Sequence, residues 1–197
     1  MTRLVVLASG SGTNLQAVLD ACADGRLPAR VAAVVSNKAG SGALQRAADA
    51  GVAYVHVASH SAEPRGDYDA RLADIVSGFD PDWVVLAGWM RVLSMSFLGW
   101  FPGMVVNLHP ALPGELPGVD AIERAWQEAK AGSRDQTGVM VHLVPNEGVD
   151  DGPVLATATV SIRPSDTLES FTARVHSVEH RLLVETLATL CTTGANA

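Results

Sequence analysis

The sequence predicts an α/β domain built on a mostly parallel sheet that ends in an antiparallel C-terminal return. Three observations predict it. Strand and helix patterns alternate almost from the first residue, which is how parallel strands joined by helical crossovers read. With 197 residues, 48% of them hydrophobic, the chain is long enough to bury one sizeable core, so a single domain over 1–197 is expected. Beyond Pro110 the alternation gives way to two long strands joined by a turn-rich segment, the mark of an antiparallel pair.

Each element carries its own signal. Residues 4–8 are a short apolar run, a buried first strand. Over 13–24, Leu15, Val18, Leu19 and Cys22 recur at helical spacing, and Gly25 ends the helix. A second strand at 31–35, a second helix at 42–50 closed by Gly51 and a third strand at 53–57 follow. The third helix spans 67–79, and strands at 83–87 and 104–108 flank a short helical segment at 94–100. A loop rich in Pro and Gly, 111–118, leads to a helix at 120–131 and then to strands at 138–144 and 153–162. The last helix is signalled by Asp166 and Glu169, spaced as a capping box, and by the apolar stripe Leu168, Phe171, Val175, Val178 and Leu182. Residues 192–197 read as a frayed end.

Composition narrows the function classes. A net charge of −7 with only 14 scattered basic residues argues against a nucleic-acid footprint, because phosphate contacts need clustered Lys and Arg. The apolar start is too brief for a signal peptide and runs at once into Gly-Ser-Gly, and no segment approaches membrane-spanning length. Cys22 and Cys191 offer neither metal spacing nor a disulfide framework, which fits a reducing cytoplasm. A small-molecule partner is expected.

Two strand ends carry the chemistry. Between strand one and helix one, Gly10, Ser11, Gly12, Thr13 and Asn14 form a tight turn whose free N–H groups face whatever binds there, so the segment reads as a phosphate site or as an ordinary strand-to-helix turn. A dinucleotide fingerprint would need a third glycine where Leu15 stands and an acidic end to the second strand, which reads Ser36-Asn37-Lys38, so a monophosphate ester fits better. The run Val105-Val106-Asn107-Leu108-His109-Pro110 delivers alternate polar residues to one side of a strand that proline then stops. There an amide and an imidazole converge on one developing oxyanion, or His109 is a structural strand-end residue. Asp150 either supplies a carboxylate that favours the imidazolium or simply shapes its turn; spacing leaves both open. On the last helix, His176, Glu179 and His180 spell a zinc-enzyme pattern, but only 17 residues follow His180, so a polar helix face is expected and no metal. His142 reads as a buried strand histidine.

Together these motifs resemble the glycinamide ribonucleotide formyltransferases, the folate-dependent transformylases of purine synthesis, from Leu4 to about Leu190. The resemblance rests on Gly10-Ser11-Gly12-Thr13-Asn14-Leu15, on Ser36-Asn37-Lys38, on Leu86-Ala87-Gly88-Trp89-Met90-Arg91-Val92-Leu93, and on Asn107 and His109. It implies a Rossmann-like twisted sheet with helices on both faces, the formyltransferase fold. It also implies transfer of a formyl group from 10-formyltetrahydrofolate to the amine of 5-phosphoribosylglycinamide, with Asn107, His109 and Asp150 as catalytic residues. Gly10, Ser11, Gly12, Thr13, Asn14, Pro110 and Glu179 would then hold the ribonucleotide. Arg65, Met90, Arg91, Val92 and Leu93, with Asn107 and Asp150, would hold the folate, a cosubstrate rather than a bound cofactor. A monomer or homodimer without nucleic-acid or membrane partners is implied.

The chain departs from the family where most members read Asn-x-His-Pro-Ser-Leu-Leu-Pro, since Ala111-Leu112-Pro113-Gly114 follow Pro110 here. Its loop before Asp150 is one residue longer, and Asp151 replaces the usual small residue. Methionyl-tRNA formyltransferases carry an added RNA-binding domain, and formyltetrahydrofolate hydrolases an N-terminal regulatory domain, neither of which this sequence provides. Sugar-nucleotide formyltransferases, and a noncatalytic nucleotide-binding module, are the alternatives.

Overall fold

The apolar runs and helical stripes assemble as one seven-stranded sheet covered by helices on both faces. The computed structural model describes residues 1–193. In chain order the elements are β1 (Thr2–Leu7), α1 (Thr13–Ala23), β2 (Ala29–Ser36), α2 (Gly42–Asp49), β3 (Ala53–His56), α3 (Arg65–Ser77) and β4 (Trp83–Leu86). Then come α4 (Met95–Leu98), β5 (Val105–His109), α5 (Ala121–Lys130), β6 (Gln136–Leu143), β7 (Val154–Ser161) and α6 (Leu168–Thr193). The strand order is β3-β2-β1-β4-β5-β6-β7. Strands β1 to β5 pair in parallel, and β6 is antiparallel to both its neighbours.

Side-chain alternation divides the core in two. Leu4, Val6 and Ala8 face α1, α2, α5 and α6, whereas Val5 and Leu7 face α3 and α4. Burial on both faces explains why these strands are continuous apolar runs. Because the chain leaves β1 toward β2 on one side and reaches β4 on the other, the loops after β1 and β4 part at a topological switch point. A ligand crevice opens at such a point.

Boundaries shift where caps decide them. The third helix begins at Arg65, because the Pro64 carbonyl accepts the N–H groups of Asp67 and Tyr68 at 3.1 Å each. The expected capping box at Asp166 and Glu169 is corrected to Thr167 and Ser170. Each of these side-chain oxygens accepts the other's backbone N–H, at 3.1 and 3.0 Å. Asp166 instead accepts the Arg163 N–H and pairs with Arg174. Thr192 belongs to α6, and the rest of the expected frayed end, 194–197, lies outside the described residues. Among the described residues, no helix is long and apolar enough to cross a membrane.

Candidate active site

The glycine turn after β1 opens into a cavity of about 420 Å³. Gly12, at φ 74°, precedes α1 with no side-chain cap, so the first N–H groups of the helix are not claimed by a hydroxyl. A Cβ on Gly12 would lie 2.7 Å from the Ala43 Cα, and one on Gly42 would lie 2.6 Å from the Ser11 carbonyl oxygen. The turn and the start of α2 therefore touch backbone to backbone, a fit only glycine permits. Across the cavity stand His176 and Glu179 of α6. Burial lifts the Glu179 carboxyl to about 7, with the Asn14 amide partly opposing it, and burial lowers the His176 imidazole. The His176 and Glu179 side chains lie 3.8 Å apart, and among the described residues no group of three His, Cys, Asp or Glu side chains has a geometry suited to a metal ion.

A second cavity, of about 220 Å³, adjoins the first and contains the strand-end residues. Gly88, Met90, Leu108, Pro110, Asp120 and Ala121 line both, so the two cavities share a wall. Asp150 is the hub. Its Oδ1 accepts from Asn107 Nδ2 at 3.0 Å, and its Oδ2 accepts from the Gly118 N–H at 2.8 Å and lies 3.3 Å from His109 Nδ1. His109 Nε2 lies 3.0 Å from the Leu116 carbonyl oxygen, which Arg124 also engages at 2.8 Å.

The chain is bent to make this hub. Leu116, Asp120 and Asp150 all adopt positive φ, at 45°, 56° and 54°. Left-handed non-glycine residues gather where surrounding contacts hold them, and these three belong to the loops that meet over His109. Gly152 admits no side chain, because a Cβ there would run into the Leu143 carbonyl, and this close approach pins the end of the Asp150 loop against β6. Asp151 is exposed and folds its carboxyl over Gly148, away from the His109 contact that Asp150 makes.

The Asp150 carboxylate favours the His109 imidazolium, and burial opposes it. Burial pushes the His109 imidazole below its ordinary range and outweighs the Asp150 carboxylate and the Leu116 carbonyl, which raise it. Burial raises the Asp150 carboxyl too, but its surroundings, the Gly118 N–H and His109 among them, bring it below the ordinary carboxylate range. Both His109 ring nitrogens face atoms that only accept, the Asp150 carboxylate and the Leu116 carbonyl, while burial opposes the charge that donating to both requires.

Most predicted site residues converge, and two do not. Met90, Arg91 and Val92 line the smaller cavity, with the Arg91 guanidinium 4.4 Å over the Tyr68 ring. Leu93 instead turns into the core against α3 and α4 because it is apolar and only 3% exposed. Arg65 lies outside both cavities, drawn to Glu147 at 3.2 Å and to Asp69 at 3.7 Å. Glu147 also accepts the Met95 N–H at 3.0 Å, which ties the Asp150 loop to α4. Sequence reasoning misses the site role of His142, buried as expected but 3.1 Å from Asn107 and 3.6 Å from Asp150. The signal is the pairing of β5 with β6, which sets His142 opposite Asn107.

Residues 2–187 match the family described as formyl transferase. A phosphoribosylglycinamide formyltransferase of Dictyostelium discoideum is 40% identical over 96% of this chain and 98% of its own length. That of Escherichia coli is 38% identical over 91% of this chain and 82% of its own. Among solved structures, glycinamide ribonucleotide transformylase 1 from Symbiobacterium toebii superposes with a TM-score of 0.89 at 39% identity, covering 95% of this chain and 86% of the other.

Proposed function

The chain belongs to the formyl transferase family, and we propose that it moves the formyl group of 10-formyltetrahydrofolate onto the amine of 5-phosphoribosylglycinamide. The observation that carries this reading is the pair of cavities with a common wall, one headed by a helix start that no side chain caps and the other by the Asn107, His109 and Asp150 cluster. Two substrates held side by side in this way lose most of the entropic barrier to bimolecular attack.

In this reading the larger cavity takes the ribonucleotide. Backbone N–H groups of 10–14 receive its phosphate, and Glu179 receives the ribose hydroxyls. The smaller cavity takes the pteridine end of the folate, with Met90, Arg91 and Val92 along its side. The amine lone pair attacks the formyl carbon and the carbonyl π pair moves to oxygen, giving a tetrahedral oxyanion. Asn107 and His109, when protonated, donate to that oxygen. The Asp150 carboxylate draws the extra proton from the new ammonium, directly or through water. That proton goes to the folate nitrogen as the carbon–nitrogen bond breaks, yielding formylglycinamide ribonucleotide and tetrahydrofolate. No covalent enzyme intermediate or tightly bound cofactor is needed. The acidic chain, its two free cysteines and its small-molecule cavities fit a cytoplasmic monomer or homodimer without a nucleic-acid partner.

Mass spectrometry of the ribonucleotide after incubation with 10-formyltetrahydrofolate and the protein tests the proposal. One added formyl group on the glycinamide amine is expected. Formylation of an amino sugar nucleotide, with the glycinamide left unchanged, would replace this reading with the sugar-nucleotide alternative.

A further inference from the structure

We propose that His142 is a positioning residue for Asn107, holding one hydrogen of its amide so that the other is presented to the reacting centre. The inference rests on the formyl-transfer reading for its catalytic meaning, but the hydrogen bonds that carry it do not.

The argument is one of donors and acceptors. His142 Nδ1 lies 2.9 Å from the Leu143 carbonyl oxygen, which only accepts, so Nδ1 carries the ring hydrogen. In the neutral ring Nε2 is then a lone pair, and the Asn107 amide nitrogen, which only donates, sits 3.1 Å from it. The alternative partner of Nε2, Asp150 Oδ1, is 3.6 Å away, too long for a hydrogen bond, so the shorter contact decides the role of the ring. The second amide hydrogen points to Asp150 Oδ1 at 3.0 Å. Both hydrogens of Asn107 are therefore engaged, but by partners of different kinds.

The two partners behave differently during the reaction. His142 is 2% exposed and directly opposite Asn107 in the β5–β6 ladder, and a register shift of β6 against β7 falls beside it, between Val141 and His142. It takes no part in the proton transfer of the proposed reaction. Asp150 receives a proton as the ammonium forms, so its hold on the second amide hydrogen weakens at the moment the oxyanion needs a donor. His142 acts as the fixed pivot, and the second hydrogen transfers its bond from Asp150 to the oxyanion. Without the pivot the amide is free to turn end for end and present its carbonyl oxygen to a negative charge.

Two measurements test this. In the ligand-free parent protein, nitrogen-15 NMR of histidine should show His142 protonated at Nδ1 and unprotonated at Nε2 near neutral pH; a proton on Nε2 overturns the proposal whatever the protein's activity. In the formyl-transfer assay, His142→Leu should lower kcat by about ten- to a hundredfold, the scale of a misplaced oxyanion donor, with both KM values within about threefold of the parent. His142→Gln, whose amide oxygen reaches toward the Nε2 position, should recover most of that loss. A folded His142→Leu protein with parental kcat, or equal losses in the two variants, refutes the pivot. A parent protein that formylates no glycinamide ribonucleotide refutes the functional reading instead, and the NMR result still decides the hydrogen bond.

Discussion

The cavity behind β1 is headed by main chain within one turn of sequence and closed by α6 from across it, whereas the cavity beside β6 is shaped by side chains drawn from β5, from β6 and from two loops. The head of the first needs only a strand, a glycine turn and a helix start, all adjacent in the chain. The second needs Asn107, His109, His142 and Asp150 to meet across an antiparallel ladder and a left-handed bend. The difference separates holding from reacting: backbone N–H groups bind an anion with no change of state, while titratable side chains exchange protons. Substitutions on the two sides should therefore split cleanly between KM and kcat.

The largest effect is expected from Asp150→Asn, which keeps side-chain size and tolerates the positive φ of this position. It removes the charge at the hub, so kcat should fall by about two orders of magnitude or more with both KM values far less affected. Burial already depresses the His109 imidazole, and losing the one carboxylate that raises it depresses it further. His109 is charged only below its pKa, so the residual activity of the variant should be displaced toward acid relative to the parent. Asp151→Asn, whose carboxyl lies over Gly148, should leave the rate near the parent value. An inactive Asp151→Asn beside an active Asp150→Asn would mean that the wrong aspartate has been placed at the hub.

A purely binding effect is expected on the other side. Gly12 is a poor probe, because any side chain there collides with the α2 backbone and confounds folding with binding. At Gly10 a Cβ would meet nothing within 4 Å, and the residue lines the larger cavity, so Gly10→Val adds bulk at the cavity wall without the backbone collision that Gly12 would suffer. Apparent KM for the ribonucleotide should rise about tenfold or more, equivalent to ~1.4 kcal/mol of lost binding, with folate KM and melting temperature unchanged. Equal rises in both KM values would show that the two cavities do not divide the substrates.

The same contrast governs what the sequence reveals. The strands, the helix order and the antiparallel return are legible because apolar periodicity is local, and the glycine turn is legible because its residues are contiguous. Asn107 and His109 stand out as polar residues at the end of an apolar strand. His142 does not, because its neighbours in sequence are apolar and only the β5–β6 register puts it beside Asn107. The balance at His109 escapes the sequence for a related reason: the nearby carboxylate is visible there, but not the depth of burial that opposes it. Arg65 reads toward the folate by resemblance, and what draws it aside is Glu147, distant in the chain and brought near only by the fold.

The smallest effect is expected at Glu179, which burial moves far from the ordinary carboxylate range. It is 5% exposed, and burial raises its carboxyl from 4.5 to about 7. A folded-state pKa above the unfolded value means that the native chain holds this proton more tightly. Its contribution to stability is present in full below about 4.5 and is lost as pH rises through about 7. Glu179→Gln is uncharged at every pH, so its melting temperature should lack the decline that the parent shows across that window. Binding should respond modestly: under the proposed function one hydrogen-bonding partner of the ribose is altered rather than removed, so ribonucleotide KM should rise by roughly two- to tenfold at neutral pH while kcat holds. A fall in kcat as large as that of Asp150→Asn would place Glu179 in the reaction itself and erase the division between the two cavities.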